Sequence, residues 1–356
     1  MPRGDYVDLY YKDSMWEEPI RLRKWRREAV PLTRQASQGE LTKRAIAWLI
    51  AYHQANTQQL QRVLGVQPYT MSRLLPRLYE AKFVSRGRYN PYGEGAMPLI
   101  YRLNDSAELR AWVRDLSYED WLGVTGGVKI LYRGADHHRH NLLVNELVLF
   151  AAQYLPRIGC VLGEQFTEAK RMIPDCDSNA IGDAALVFDN GMRVVIELTS
   201  TLHQNIDAKM VRWGKVLASK DFNDQGLIVL FVGAAKQKLA GQVVNGLKRL
   251  ADNNLTAEKL SDGNRWLTDL EVSRVRSMIH VVDWRSWFLP GGVPQADFYG
   301  LVTEFNPNNK RHWERTSIVN DWQFKPKKKD LWLAPMRQID KVYAMPQILK
   351  DRHKDQ

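Results

Sequence analysis

The sequence lacks several features that would assign a function directly. It has only two cysteines, Cys160 and Cys176, which are too few for a disulfide framework or a four-cysteine zinc site. No apolar run approaches the ~18 to 20 residues of a membrane span, and the start MPRGDYVDLYYKD lacks the apolar stretch of a signal peptide. We therefore expect a cytoplasmic protein with no membrane partner.

Common nucleotide and metal motifs are also missing. The segment TGGVK at residues 125–129 lacks the spacing G-x-x-x-x-G-K-[ST] of a phosphate-binding loop, so an ATPase is not expected. The HHRH run at residues 137–140 lacks zinc-finger spacing to the cysteines, and Arg139 stands where a His-apolar-His metal motif needs an apolar residue. There is no internal repeat.

The sequence carries an excess of positive charge, and its composition is that of a globular protein. It holds 51 Lys and Arg against 40 Asp and Glu, a formal net charge of +11. With 44% hydrophobic and 26% charged residues, it is too apolar for a disordered chain. Its 356 residues suggest two to three domains at ~150 residues each. A polyanion, and DNA in particular, is the expected partner.

The N-terminal part predicts a basic arm at residues 1–38 and a winged helix at residues 39–106. A helix is indicated from residue 41, and Asn56 is a good cap for a second helix that Gly65 ends. A third helix follows, then the strands FVSRGRY and LIYRLND around a Pro/Gly-rich loop. This order is typical of a winged helix-turn-helix domain. Residues 107–134 are expected to be a linker with one more helix.

Candidate DNA-binding residues lie on the third helix and on the predicted wing. Their hydroxyl and guanidinium groups suit base edges and phosphates, whereas the apolar residues of the same helix would face the core. The alternative is that the wing packs on a partner protein. The candidates are Tyr69, Thr70, Arg73, Arg77, Arg86 and Arg88.

Residues 135–256 have the pattern of an α/β domain. The patterns predict a helix at 140–155, strands at 161–170, 182–190 and 192–201, a helix at 203–220 and a strand at 226–233. Asp183 begins the second strand, Glu197 lies in the third, and the turn signal DNG joins the two. This hairpin would bring both carboxylates to one end of a sheet, where they could share a divalent cation such as Mg²⁺. Alternatively, Glu197 is an exposed carboxylate or pairs with Lys209.

The order αβββαβ, with Gly182-Asp183 and Glu197-Leu198-Thr199 on successive strands, resembles the PD-(D/E)xK nuclease core. The resemblance implies an α/β plus α+β protein in which Asp183 and Glu197 are catalytic residues and Mg²⁺ ligands. It also implies an extra acidic ligand, either Glu146 or Glu164. Thr199 occupies the position of the motif lysine, so the resemblance assigns the catalytic lysine to the following helix, with Lys209 first and Lys215 second.

A narrower resemblance covers about residues 40 to 232. A winged helix, the helix start His140-Asn141, the Gly-Asp strand, the Glu197-x-Thr199 strand and Lys209 on the next helix are similar to the replication-relaxation family of plasmids and integrative elements. In this chain the final threonine of that pattern, Thr201, is shifted by one position. The resemblance implies DNA processing at a mobile-element origin, with other mobile-element proteins or further copies of the chain as partners.

Residues 257–356 are expected to form a C-terminal extension with a basic tail. Its tryptophans could stack on unpaired bases, but packing as clasps on the protein body is the favoured interpretation. The lysine-rich run FKPKKKD is interpreted as a solvated face. The tryptophans concerned are Trp284, Trp287, Trp313, Trp322 and Trp332.

These patterns together predict metal-dependent cleavage or nicking of DNA, with the winged helix selecting the site. A non-catalytic replication or transcription factor with a degenerate nuclease fold is the second hypothesis, because Thr199 replaces the motif lysine. The third is a subunit that recruits a recombinase or transposase through the tail.

Overall fold

The computed structural model shows a mixed α/β protein with a helical N-terminal region and a mixed sheet. It describes residues 15–16, 39–88, 99–130, 138–173, 176–202, 205–219, 221–261, 265–289, 292–308, 312–322 and 343–354. The chain divides into an N-terminal unit, residues 10–153 with 336–356, and an α/β unit, residues 1–9 with 154–335. Within the described ranges, none of the helices has the length and apolarity that a membrane crossing requires.

The N-terminal unit combines helices with a small antiparallel sheet. Its helices are α1 Glu40–Tyr52, α2 Thr57–Leu64, α3 Pro68–Glu80, α4 Ala107–Arg114, α5 Tyr118–Thr125, α6 His138–Tyr154 and the C-terminal helix Gln347–Lys354. Its strands are β1 Met15–Trp16, β2 Gln54–Asn56, β3 Val84–Arg88 and β4 Leu99–Leu103, in the sheet order β1-β3-β4-β2.

The helix boundaries follow the caps that the sequence shows. Asn56 accepts a hydrogen bond from the backbone N–H of Gln59, whose side chain bonds back to Asn56, and so starts α2. Gly65 ends α2 with φ of 65°, a conformation that glycine adopts without strain. The linker differs from its prediction. It forms two helices, α4 and α5, because Ser106 and Ser117 each cap one.

Helix α6 packs into the N-terminal unit, whereas the sequence interpretation grouped it with the α/β domain. The Asn145 side chain accepts from Trp48 Nε1 at 2.5 Å and donates to the carbonyls of Gln54 and Asn141. These groups are buried, so the network satisfies polar atoms that would otherwise destabilise the fold. The network therefore fixes α6 against α1 and β2.

The last described segment of the chain also belongs to this unit. The guanidinium of Arg44 is buried and donates to Gln347 Oε1 at 2.6 Å and to the carbonyls of Val63 and Met345 at 2.9 and 3.3 Å. Because a buried cation is stable only when it is hydrogen-bonded, Arg44 ties the C-terminal segment to the end of α2.

The α/β unit contains a seven-stranded sheet in the order β13-β12-β9-β8-β7-β6-β5. Strands β5, β6 and β7 are successive antiparallel neighbours, and β7, β8 and β9 are parallel. The seven strands are β5 Ile158–Gly163, β6 Ala184–Phe188, β7 Arg193–Thr199, β8 Leu227–Gly233, β9 Ile279–Asp283, β12 Val302–Phe305 and β13 Glu314–Ser317. The long helices are α7 Ile206–Ala218, α8 Ala240–Asn254 and α9 Asp269–Ser277, and a short hairpin is formed by β10 Phe288–Leu289 and β11 Val293–Pro294.

The sheet centre is built from strands that are apolar on both faces. All seven residues of β8, LIVLFVG, are buried, as expected for a strand covered on both sides. The first strand is displaced from its prediction at 161–170. It begins at Ile158 and ends at Gly163, where a 3₁₀ turn from Glu164 to Phe166 interrupts the ladder. Thr167 then donates its hydroxyl proton toward the Gly182 carbonyl.

Four of the five tryptophans considered for the extension pack on the α/β unit as predicted. Trp284 and Trp287 are fully buried. Trp313 donates to Asp252, and the Trp322 ring lies 5.5 Å from the ring of His280. Trp332, the lysine-rich run and most of the N-terminal arm lie outside the described residues.

His280 is a buried titratable group in β9. Its Nδ1 lies 2.7 Å from the Thr303 hydroxyl and its Nε2 lies 2.9 Å from the Ser277 carbonyl. Because the carbonyl only accepts, Nε2 carries the proton and the neutral ring accepts at Nδ1. Burial lowers the pKa of His280 to about 4, although the bond to Ser277 opposes this.

We expect the protein to lose stability as the pH falls from about 6.5 to about 4. In this window the unfolded chain binds a proton at His280 that the folded chain excludes, so His280 lowers the free energy of unfolding by up to about 3 kcal/mol. Urea unfolding at several pH values should show a weaker dependence in His280→Gln. An imidazole proton NMR signal of His280 that titrates near pH 6.5 would contradict this.

Candidate active site

Asp183 and Glu197 lie side by side because β6 and β7 form an antiparallel hairpin. The Asp183 N–H donates to the Ile196 carbonyl at 2.9 Å, which places Asp183 opposite the position of Glu197. Gly182 is required at this approach, since a Cβ there would lie 2.3 Å from Val195 Cγ1. In the Gly-Asp pair, Gly182 therefore allows the two strands to pack closely, and Asp183 contributes its carboxylate to the site.

Two side chains of α7 bind the Glu197 carboxylate. Lys209 Nζ donates to Oε2 at 2.6 Å, and Trp213 Nε1 donates to Oε1 at 2.6 Å. The two donors are four residues apart and so lie on one face of the helix. Lys209 Nζ is also 3.6 Å from Asp183 Oδ1, while Asp183 Oδ2 accepts from the Leu198 N–H at 2.7 Å.

The cluster is buried at its carboxylates and more open at its ammonium. The side chains of Glu197 and Asp183 are 2% and 10% exposed, and that of Lys209 is 35% exposed. Burial and the charge of Asp183 raise the pKa of Glu197 to about 7, although Lys209 and Trp213 lower it. Burial lowers the pKa of Lys209, but the charges of Asp183, Glu197 and Glu164 outweigh burial and hold it above its ordinary value.

The structure brings Asp183, Glu197 and Lys209 together. Glu164 acts on Lys209 through its charge. However, no three His, Cys, Asp or Glu side chains in the described part of the chain form a group that could hold a metal ion. Lys215 is exposed near the end of α7, and Thr199 is buried at the end of β7. The second candidate for the extra acid, Glu146, accepts hydrogen bonds from Arg62 and Gln59 within the N-terminal unit.

Four of the candidate DNA-binding residues, Tyr69, Thr70, Arg73 and Arg77, lie on α3, and Arg86 lies on β3. Tyr69 is 68% exposed, Arg73 and Arg77 are exposed, and Thr70 is half-buried. The Arg73 guanidinium lies 5.2 Å from the centre of the Tyr69 ring, and Arg86 on β3 lies 4.3 Å from that of Tyr79. The Arg88 side chain and the loop of residues 89–98 lie outside the described residues.

Sequence reasoning missed Trp213. Its indole is fully buried, and its N–H is one of the two side-chain donors described above for Glu197. The only signal in the sequence was its position four residues after Lys209 on a predicted helix, a spacing that puts both on one face.

No family model, no curated protein and no solved structure matches this chain. The function of the site is therefore inferred from its geometry and charge.

We expect Trp213→Phe to destabilise the α/β unit by at least about 2 kcal/mol, because it leaves a buried carboxylate oxygen without its donor. Urea unfolding measures the change. Trp266→Phe is the matched control, since Trp266 is 70% exposed and should change stability by less than about 0.5 kcal/mol. In a Glu197→Gln background the effect of Trp213→Phe should be smaller. Equal effects in both backgrounds would mean that packing alone explains the loss.

Proposed function

We propose that this protein binds DNA and cleaves or nicks it by metal-dependent phosphodiester hydrolysis. In this proposal the N-terminal helices and sheet act as a winged helix, and the α/β unit is a PD-(D/E)xK-like nuclease. The observation that carries the proposal is the convergence of Asp183 and Glu197 on the Lys209 ammonium. Metal-dependent hydrolysis of a phosphodiester uses metal ligands and a charge-stabilising group around one phosphorus, and these three side chains could supply both.

The donor set fits a hard cation such as Mg²⁺. Asp183 and Glu197 offer carboxylate oxygens on adjacent strands, and Mg²⁺ is commonly held by one or two carboxylates together with water and phosphate oxygens. When bound, the ion would polarise the scissile phosphate and lower the pKa of an attacking water. Lys209 would stabilise the negative charge that develops on the phosphoryl oxygens, and Trp213 would keep the Glu197 carboxylate in orientation.

The exposed side of α3 supports DNA binding. Arg73 and Arg77 present guanidinium groups on one helix, and stacking on Tyr69 limits the freedom of Arg73. The net charge of +11 favours a polyanion over the whole chain. Replication or transfer of a mobile element remains the proposed setting.

A non-catalytic DNA-binding protein is the second candidate, with recruitment of a recombinase or transposase as one role. It is favoured by Thr199 in the motif lysine position, and by the absence of a three-ligand metal group from the described residues. Cleavage assays separate the two candidates, because both bind DNA and only the first cuts it.

Replacing Arg73 and Arg77 with alanine should weaken DNA binding. Each lost phosphate contact should also reduce the slope of log affinity against log salt by about one. Fluorescence anisotropy over a series of salt concentrations measures both effects. The matched control is Arg110→Ala with Arg114→Ala, two exposed arginines of α4. If the folded Arg73 and Arg77 variant binds like the wild type, the DNA surface lies elsewhere.

Cleavage of supercoiled DNA with Mg²⁺ or Mn²⁺ should be abolished by EDTA and by Asp183→Asn or Glu197→Gln. Each substitution keeps the shape of the side chain and removes a ligand charge, so DNA affinity without metal should be retained. Asp189→Asn is the matched control, because Asp189 lies exposed in the turn between β6 and β7.

Two results would overturn the nuclease proposal in different ways. If the wild type cuts no form of DNA with either metal, the non-catalytic candidate replaces it. If the wild type cuts and both variants cut equally well, the active site is elsewhere in the chain.

A further inference from the structure

The Lys209 ammonium binds the same carboxylates that would hold the metal. It donates to Glu197 Oε2 at 2.6 Å and lies 3.6 Å from Asp183 Oδ1. The ammonium therefore lies beside an oxygen of each carboxylate, at the oxygens where a metal ion would also bind. We propose that Lys209 is a cation gate, which keeps divalent metal off Asp183 and Glu197 until a DNA phosphate draws the ammonium away. This inference rests on the proposed nuclease function.

Charge is the physical basis of the gate. Asp183 and Glu197 would hold a divalent ion through the same almost fully buried carboxylates that the ammonium contacts. Repulsion between like charges is less screened beside buried groups than in bulk water. The metal and the ammonium therefore compete for one pair of carboxylates.

The carboxylates stay in place when the ammonium leaves. Trp213 Nε1 donates to Glu197 Oε1, and the Leu198 N–H donates to Asp183 Oδ2. Each carboxylate thus keeps at least one donor that does not come from Lys209, while Glu197 Oε2 and Asp183 Oδ1 each lose the ammonium. The ligands are therefore preorganised for the metal before it arrives.

The ammonium has a route out of the site. Lys209 lies in the first turn of α7, and its side chain is 35% exposed, the most open of the three groups. A phosphate of bound DNA is an anionic acceptor that can take over the ammonium hydrogen bonds. DNA and metal should therefore bind with positive and reciprocal coupling.

The test measures Mn²⁺ binding without DNA by electron paramagnetic resonance. Lys209→Gln removes the charge and keeps an N–H donor, so we expect it to bind Mn²⁺ at least tenfold more tightly than the wild type. Lys215→Gln, an exposed lysine of the same helix, is the matched control and should bind like the wild type. Lys209→Gln combined with Glu197→Gln should lose the gain, which locates the ion at this site.

The outcomes separate the gate from the nuclease function. Equal Mn²⁺ affinity in the wild type and Lys209→Gln overturns the gate and leaves the nuclease proposal intact. No Mn²⁺ binding by either protein overturns the gate, whereas the nuclease proposal is decided by the cleavage assay. Tighter binding by Lys209→Gln supports the gate, and DNA cleavage by the wild type is the separate test of the nuclease function.

A second measurement does not depend on the folding of Lys209→Gln. Equilibrium dialysis measures how much Mn²⁺ the wild type binds in the presence of a short DNA duplex. The amount bound by Glu197→Gln with the same duplex is subtracted, because it represents Mn²⁺ that is bound to the DNA. We expect DNA to raise the corrected Mn²⁺ affinity of the wild type at least tenfold. A corrected affinity that DNA leaves unchanged overturns the gate.

Discussion

The structure of the α/β unit depends on the burial of one ionisable group, the Glu197 carboxylate, in the middle of an apolar sheet. Such a group destabilises a fold unless donors surround it. Lys209 and Trp213 provide those donors from one face of α7. This requirement fixes the rotation of α7 on the sheet, because only one rotation brings both side chains to the carboxylate. The same contacts that stabilise the strand therefore assemble a site with the charges that phosphate chemistry uses.

The constraint extends to the neighbouring strand. Asp183 reaches the cluster because Gly182 allows β6 to approach β7 closely, and its carboxylate is held by the Leu198 N–H. Two carboxylates and one ammonium leave the cluster with an excess of negative charge when both acids are ionised. Burial and that excess together raise the pKa of Glu197, and the same excess raises the pKa of Lys209 against the effect of burial.

Much of this arrangement could be predicted from local signals. The Asn56 cap, the Gly65 stop and the apolar run of β8 each determine structure within a few residues, and the structure confirms them. The pairing of Glu197 with Lys209, which the sequence analysis gave as one alternative to a metal site, is also found. The partners of α6 and the role of Trp213 could not be predicted, because they depend on contacts between segments far apart in the chain. The turn that ends β5 at Gly163 could not be predicted for the same reason, because Thr167 contacts Gly182, a residue distant in sequence.

The tie between Arg44 and the segment around Gln347 bears on how the chain folds as it is made. The N-terminal unit is discontinuous in sequence, since residues 154–335 separate its two parts. A growing chain presents the buried Arg44 guanidinium long before its Gln347 and Met345 partners are synthesised. All seven strands of the large sheet lie within residues 154–335, so the α/β unit can form this sheet during that interval. Synthesis therefore completes the N-terminal unit after the α/β unit. A chain that lacked residues 336–356 would leave the Arg44 guanidinium buried without its full set of acceptors.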